Sequence, residues 1–222
     1  MNRIGNAIKL DFYTMKAGST AQMIFVIALV VSTLVGVLTK QAAFTLAFFM
    51  VFVQFAGGSV FSIYEKSRSE RLYGILPLRK SEMVTGRYLY ALIIGVVSLI
   101  VAIILAQVVT RIRGLELGQP LLLAAVALSF MYYCFAVSVT YPVYLKFSFA
   151  KANVFTNVPV YVVFLAGMFL ARRGNLGVMI GGFVDFFSNK QFLIPVFGIA
   201  VGLAMLAVSA VIANMVYLKK EI

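Results

Sequence analysis

The sequence predicts an all-α polytopic membrane protein with six transmembrane helices. An N-terminal interfacial helix, a short cytoplasmic helix between spans two and three, and a short re-entrant external segment before span six complete it. Three observations carry this reading. The chain is 63% hydrophobic and 12% charged, with a mean hydropathy of +1.02 over 222 residues, whereas a soluble domain carries roughly 25% charged residues. Six stretches approach the roughly 20 apolar residues that a spanning helix needs. The basic residues gather at the ends of those stretches, as the positive-inside rule requires. The whole chain, 1–222, is expected to form one transmembrane domain.

Residues 1–17 come first. "RIGNAIKLDFYTMK" sets Ile4, Ala7, Ile8, Phe12 and Met15 on one helical face, the pattern of a helix lying in the membrane interface. Asp11 falls on that apolar face and interrupts it. It either reaches the headgroups or pairs with a nearby Lys, or it meets protein rather than lipid. The first span follows at Ala21–Leu38. It is too long for the apolar region of a signal peptide and has an acidic residue upstream, so it is read as a retained span.

The second span is expected at Ala42–Ile63, the third at Tyr88–Val109 and the fourth at Leu121–Tyr144. The fifth, Val154–Leu170, is weaker and contains Pro159; the sixth is Phe192–Tyr217, with Pro195 near its start. Residues 171–191 are apolar, Gly-rich and too short to cross, hence the re-entrant or interfacial external segment. Six crossings put both termini on one side. The N-terminus, the loop at 64–87, the fourth-to-fifth loop and the tail carry 13 basic residues, and the opposite side carries 6. That bias places both termini and the 64–87 loop in the cytoplasm. Tyr64, Tyr88 and Tyr217 fit aromatic anchoring at the interface.

Composition excludes several functions. The net charge of +12 follows the span ends rather than a continuous basic face, so nucleic acid is not an expected partner. There is no His and a single Cys134, which removes histidine metal sites, Ser-His catalysis and intrachain disulfides. No catalytic residue and no metal ligand is expected. The chain has no phosphate-binding G-x-x-x-x-G-K-[ST] loop. As placed above, no span contains Lys, Arg, Asp or Glu, which argues against ion-coupled carriers, proton pumps and intramembrane proteases, because intramembrane charge is costly and kept for function. Neutral polar residues do lie in the spans. Gln54, Gln107, Thr140 and Asn157, with Thr156 and Asn214, either hydrogen-bond between helices or line a substrate path. Gly198 and Gly202 form a small-xxx-small pair, suited to packing within the chain or between two chains.

The loop holds the strongest local signal. Glu65–Leu89 carries six of the 19 basic and three of the seven acidic residues. Ser67 to Glu70 matches a capping box. Leu72, Ile75 and Leu76 then share one helical face at i, i+3, i+4 spacing, until Pro77 stops the helix. Ser81 and Glu82 reopen a helix leading into the third span. A capped, sign-mixed helix with apolar side chains below the membrane suits docking to a cytoplasmic protein better than a plain solvated loop.

The stretch "YEKSRSERLYGILPLRKSEMVTGRYLYAL" resembles the first cytoplasmic loop of ABC type-2 permeases. The matching features are Glu65 and Glu70, Leu76-Pro77, Arg79-Lys80 and Gly86-Arg87-Tyr88. The six-span plan, the interfacial helix and the external segment match as well. The resemblance implies that Ser67, Glu70, Arg71, Leu72, Tyr73, Ile75 and Leu76 belong to a coupling helix seated on a separate cytoplasmic ABC ATPase subunit. That subunit would bind ATP and Mg; this chain would carry no cofactor. A second permease chain, as homodimer or heterodimer, would complete the substrate path, and membrane lipids surround both. The resemblance also implies export across a bacterial cytoplasmic membrane. Small permeases of this family move amphipathic peptides such as phenol-soluble modulins and bacteriocins, bacitracin-type drugs, or lipids. An amphipathic peptide is the first expectation and a drug or lipid-like substrate the second. A non-transporting scaffold or sensor subunit is the reading from a different class.

Overall fold

In a bilayer every backbone N–H and C=O must be satisfied within the protein, which favours helices that close their own hydrogen bonds. The computed structural model follows that rule. It describes residues 3–17, 19–66, 80–114, 119–147, 149–162, 182 and 193–218. Seven helices run in the order α1 (Arg3–Ala17), α2 (Ser19–Thr39), α3 (Ala42–Lys66), α4 (Lys80–Arg113), α5 (Gln119–Lys146), α6 (Phe149–Thr156) and α7 (Leu193–Leu218). A further helical stretch covers 158–162. Five helices, α2, α3, α4, α5 and α7, are long and apolar enough to cross a membrane. Of the expected fifth span only 154–162 is described, and of the 171–191 segment only Gly182. Six crossings were expected; five are present among the described residues.

Helix ends run past the expected span limits. The third span was expected at Tyr88, yet α4 begins at Lys80 and has 34 residues, about 51 Å at 1.5 Å per residue. That exceeds a hydrocarbon core of about 30 Å. Ser81 and Glu82 therefore open the helix as expected, but its first turns belong to the bundle's end rather than to a loop.

Short residues set how closely the helices approach. α2 fully buries only Ala21, Ala28, Ser32 and Gly36, a stripe of small residues, while Phe25 and Val37 pack partly against the core and most of its other large side chains are exposed. α2 and α3 join through Lys40, whose φ of 55° lies in the left-handed region that ends many helices. Gly198 and Gly202 of α7 face α5. A Cβ at Gly198 would stand 2.7 Å from the Ala127 Cβ, and one at Gly202 would stand 3.0 Å from the Cys134 Sγ. The small-xxx-small pair thus serves packing within the chain.

α4 touches α1, α2, α3, α5 and α7, and α3 touches α1, α2, α4, α5 and α6, so these two helices form the middle of the bundle. Increasing numbers along α7 meet increasing numbers along α5: Gly198 lies on Ala127, Gly202 on Phe130 and Cys134, and Ser209 on Ser138. These two helices run parallel. Against α4 the order reverses, with Ser209 at Tyr88 and Tyr217 at Met83. The core between them is rich in tyrosine: Tyr90, Tyr133 and Tyr141 are among its largest fully buried side chains.

Candidate functional site

Ser67, Glu70, Arg71, Leu72, Tyr73, Ile75 and Leu76 lie outside the described residues. The structure does describe the platform from which that segment leaves, at the end of α3, and to which it returns, at the start of α4. Phe61 and Glu65 are one helical turn apart, so α3 presents a ring and a carboxylate on the same side. The Phe61 ring stacks on Tyr144 of α5 at 4.8 Å between centroids, and Tyr144 stacks on Phe149 of α6 at 5.3 Å. Tyr141 meets Phe61 edge-on at 5.0 Å and Tyr88 at 5.5 Å. The Glu65 carboxylate accepts the backbone N–H of Phe149.

Arg87 enters this cluster from α4. Its guanidinium carbon stands 4.6 Å from the centre of the Phe61 ring, and the residue is 7% exposed. A desolvated cation on a ring face is worth about 2 kcal/mol. The sequence reading had counted Arg87 among the basic residues of the cytoplasmic loop at 64–87. The structure corrects that: α4 starts early enough to carry Arg87 into the bundle, against the end of α3.

α1 packs on the same end. Ala7 and Asp11, one turn apart, are both buried, Asp11 to 2%. Close approach depends on Gly86 of α4, where a Cβ would stand 2.8 Å from the Ala7 Cβ and 3.8 Å from the Ile4 carbonyl oxygen. Phe12 meets Tyr90 edge-on at 5.0 Å, and the Tyr90 hydroxyl donates to the Met15 Sδ at 2.7 Å. The Asp11 carboxylate lies within electrostatic reach of Tyr90 and Tyr141. Asp11 therefore meets neither lipid nor a separate protein but this chain's own bundle. The apolar stripe is interrupted where α1 is covered, and Lys9, Tyr13 and Lys16 form the exposed face.

Deeper in the bundle two hydroxyls link three helices. Ser209 Oγ donates its one proton to the Ser138 carbonyl at 2.7 Å. The Tyr88 hydroxyl, 2.7 Å from Ser209 Oγ, is therefore the donor in that pair. Sequence reasoning read Tyr88 as an interfacial anchor; the structure buries it, 6% exposed, on Ser209. The available signal was a tyrosine inside an apolar run, since a buried hydroxyl needs a partner.

The four polar residues expected along a path take different positions. Gln54 is 6% exposed and accepts the Tyr132 hydroxyl at 2.8 Å, bridging α3 and α5. Thr140 is 4% exposed and closes onto its own helix at the Ala136 carbonyl, 2.9 Å away. Gln107 is exposed on the outer side of α4, and Asn157 is half-buried beyond the end of α6. A groove of about 490 Å³ runs between α5 and α7, lined by Phe135, Val139, Val201, Met205, Val208 and Ile212, with Ser138 and Ser209 in its floor.

Among curated proteins none matches the chain. The family model described as ABC-2 family transporter protein matches residues 6–217, a range that takes in α2, α3, α4 and α5, all but the ends of α1 and α7, and the loop that carried the resemblance. Matched along almost its whole length, this multi-pass bundle belongs to the ABC-2 transporter family as a membrane permease subunit.

Proposed function

We propose that this permease works in an ATP-driven exporter that moves amphipathic or hydrophobic peptides out of a bacterial cell. A separate ATPase subunit binds ATP and Mg and docks on the segment Ser67–Leu76. A second permease chain completes the path. The observation that carries this reading is the chain's family, together with an end of the bundle where ring, cation and carboxylate contacts join α3 to its neighbours just before Ser67–Leu76, whose sequence fits a capped helix with an apolar face. α1, α3, α4, α5 and α6 all meet there, so force applied at the segment reaches several helices at once. A driven switch requires that ATPase contacts differ between the two states of the permease.

Six crossings, with both termini in the cytoplasm, are supported by the parallel run of α5 and α7. α5 ends at the end of the bundle that holds Glu65, while α7 begins at the opposite end, so one further passage belongs between them. The basic bias favours the same orientation.

The apolar groove between α5 and α7 favours a second reading, in which the substrate is a lipid-like or drug molecule taken from the membrane. Pockets lined mostly by apolar groups with a few polar ones in the floor suit such ligands.

Docking is tested by Leu72→Ala with Leu76→Ala. A few apolar residues usually dominate an interface, each worth roughly 1–2 kcal/mol or more. The double variant should insert and express normally yet lose ATPase co-purification and transport. Lys80→Ala should change both far less, since a surface charge contributes about 0–1 kcal/mol. Full co-purification of ATPase by the double variant would show the loop to be a solvated connector. The peptide, drug or lipid retained by the purified complex separates the two substrate readings.

A further inference from the structure

We propose that Glu65 is a positioning residue that binds α6 to the end of α3, so that displacement of the α3 end moves α6 with it. The inference rests on the reading that the ATPase acts at this end of the bundle.

The first amide groups of a helix have no acceptor within that helix. For α6 the acceptor comes from another helix: the Phe149 N–H goes to the Glu65 carboxylate, 84 residues away in sequence. A carboxylate at a helix N-terminus is also favoured by the helix dipole. The same residue is held by its side chain, because the Phe149 ring lies nearly parallel to Tyr144, at 11°, and Tyr144 lies on Phe61. Phe61 and Glu65 both belong to the last turns of α3. Phe149 is thus fixed to α3 twice, directly through its amide and through Tyr144 by its ring. α5 carries Tyr144 between the two, and a Cβ at Gly58 would stand 2.9 Å from the Tyr144 hydroxyl, so that ring has no room to swing toward α3. α3 can move at this end only by carrying α6 along or by breaking the Glu65 bond.

The carboxylate oxygen is the element to remove. Glu65→Ala deletes the acceptor; Glu65→Gln keeps an acceptor oxygen and loses the charge. In the permease alone, reconstituted in lipid nanodiscs, amide hydrogen exchange over 149–156 should rise roughly 2- to 30-fold in the Ala variant, the range that a lost helix cap covers. The Gln variant should restore most of the protection. In the complex with the ATPase that co-purifies with the wild-type chain, ATP with vanadate should change exchange at both 80–90 and 149–156. Glu65→Ala should keep the response at 80–90 and lose it at 149–156, a split that a general loss of stability does not produce. Unchanged exchange over 149–156 in the Ala variant would overturn the proposal, as would a nucleotide response at 149–156 equal to wild type. If no ATPase co-purifies, or if the wild-type complex responds to nucleotide nowhere, the docking reading fails. The exchange of the permease alone still decides whether Glu65 holds α6.

Discussion

Gly95 is a place where a single methyl group should damage the helix core. It lies on α4 against Tyr133 of α5. A Cβ there would overlap the Tyr133 ring, with Cδ1 at 2.8 Å and Cζ at 3.2 Å and Cε1 closer still. The ring has little freedom to retreat, because Tyr133 is 1% exposed and its hydroxyl donates to the Ala91 carbonyl at 2.8 Å. Overpacking of a tight core costs about 1–3 kcal/mol. Turning the ring aside also loses a hydrogen bond worth about 0.6 kcal/mol between helices in a membrane. Gly95→Ala should therefore destabilise the permease by about 2–3 kcal/mol. The measurement is reversible SDS unfolding in mixed micelles, followed by helical circular dichroism. Tyr133→Ala removes the obstacle, at a cavity cost of about 3–5 kcal/mol by itself. Because the clash is absent once the ring is gone, the Gly95→Ala/Tyr133→Ala double variant should cost clearly less than the sum of the two single changes. A Gly95→Ala protein within about 0.5 kcal/mol of wild type, or strict additivity of the pair, would refute the proposed contact.

Two further outcomes follow from the ends of the bundle. Cysteines placed at Lys40 and Gly114 should react with an impermeant thiol reagent in intact cells, and one at Ser69 only after permeabilisation; labelling of Ser69 from outside reverses the orientation. Asp11→Ala strips a buried carboxylate from the contact of α1 with α4 and leaves its surroundings under-satisfied, at about 1–3 kcal/mol. Residues 3–17 should then become more sensitive to protease while the spans stay folded. Unchanged protection would mean that Asp11 contributes nothing to holding α1.

The spans were legible because a bilayer imposes a length, and an apolar run such as Ala42–Ile63 has one interpretation at that length. Five such helices are present, with α3 matching its expected limits to within a few residues. Their ends were less legible. A helix does not stop where the hydrocarbon stops, so α4 extends back to Lys80 and carries Arg87 with it. Asp11 and Arg87 lie at the margins of apolar runs, yet both are buried, Asp11 where α1 packs on the bundle and Arg87 against Phe61 of α3. The polar residues were visible but their roles were not. Thr140 and Gln54 are both buried, yet one bonds its own backbone and the other bridges two helices, and residue type does not distinguish these. The pair Tyr88 and Ser209, 121 positions apart, is a tertiary fact with no local signature. The expected docking residues between Ser67 and Leu76 lie outside the described residues, so for them the sequence pattern stands alone.

The contacts are not distributed evenly along the bundle, and the difference bears on how such a subunit is driven. At the end that holds Glu65 the helices meet through directional contacts: a cation on a ring, stacked aromatics, a carboxylate on an amide, and a hydroxyl on a thioether. These fix both separation and orientation, since each weakens steeply when its geometry changes. Toward the other end, close approaches are made by small residues, Gly36 on Thr45 and Gly198 on Ala127, beside larger apolar side chains such as Leu46, Phe49 and Met50. Dispersion contacts of this kind are individually weak and non-directional, so they constrain orientation less than the hydrogen bonds and ring contacts do. A displacement applied at the Glu65 end would therefore move several helix ends as one block, and the less constrained half of the bundle would take up the movement by sliding. The same reasoning explains why Asp11 and Arg87, the charged residues buried among those described, lie near the segment expected to dock the ATPase. Their desolvation is tolerated where orientation has to be kept, and side chains without charge suffice where the helices have to slip.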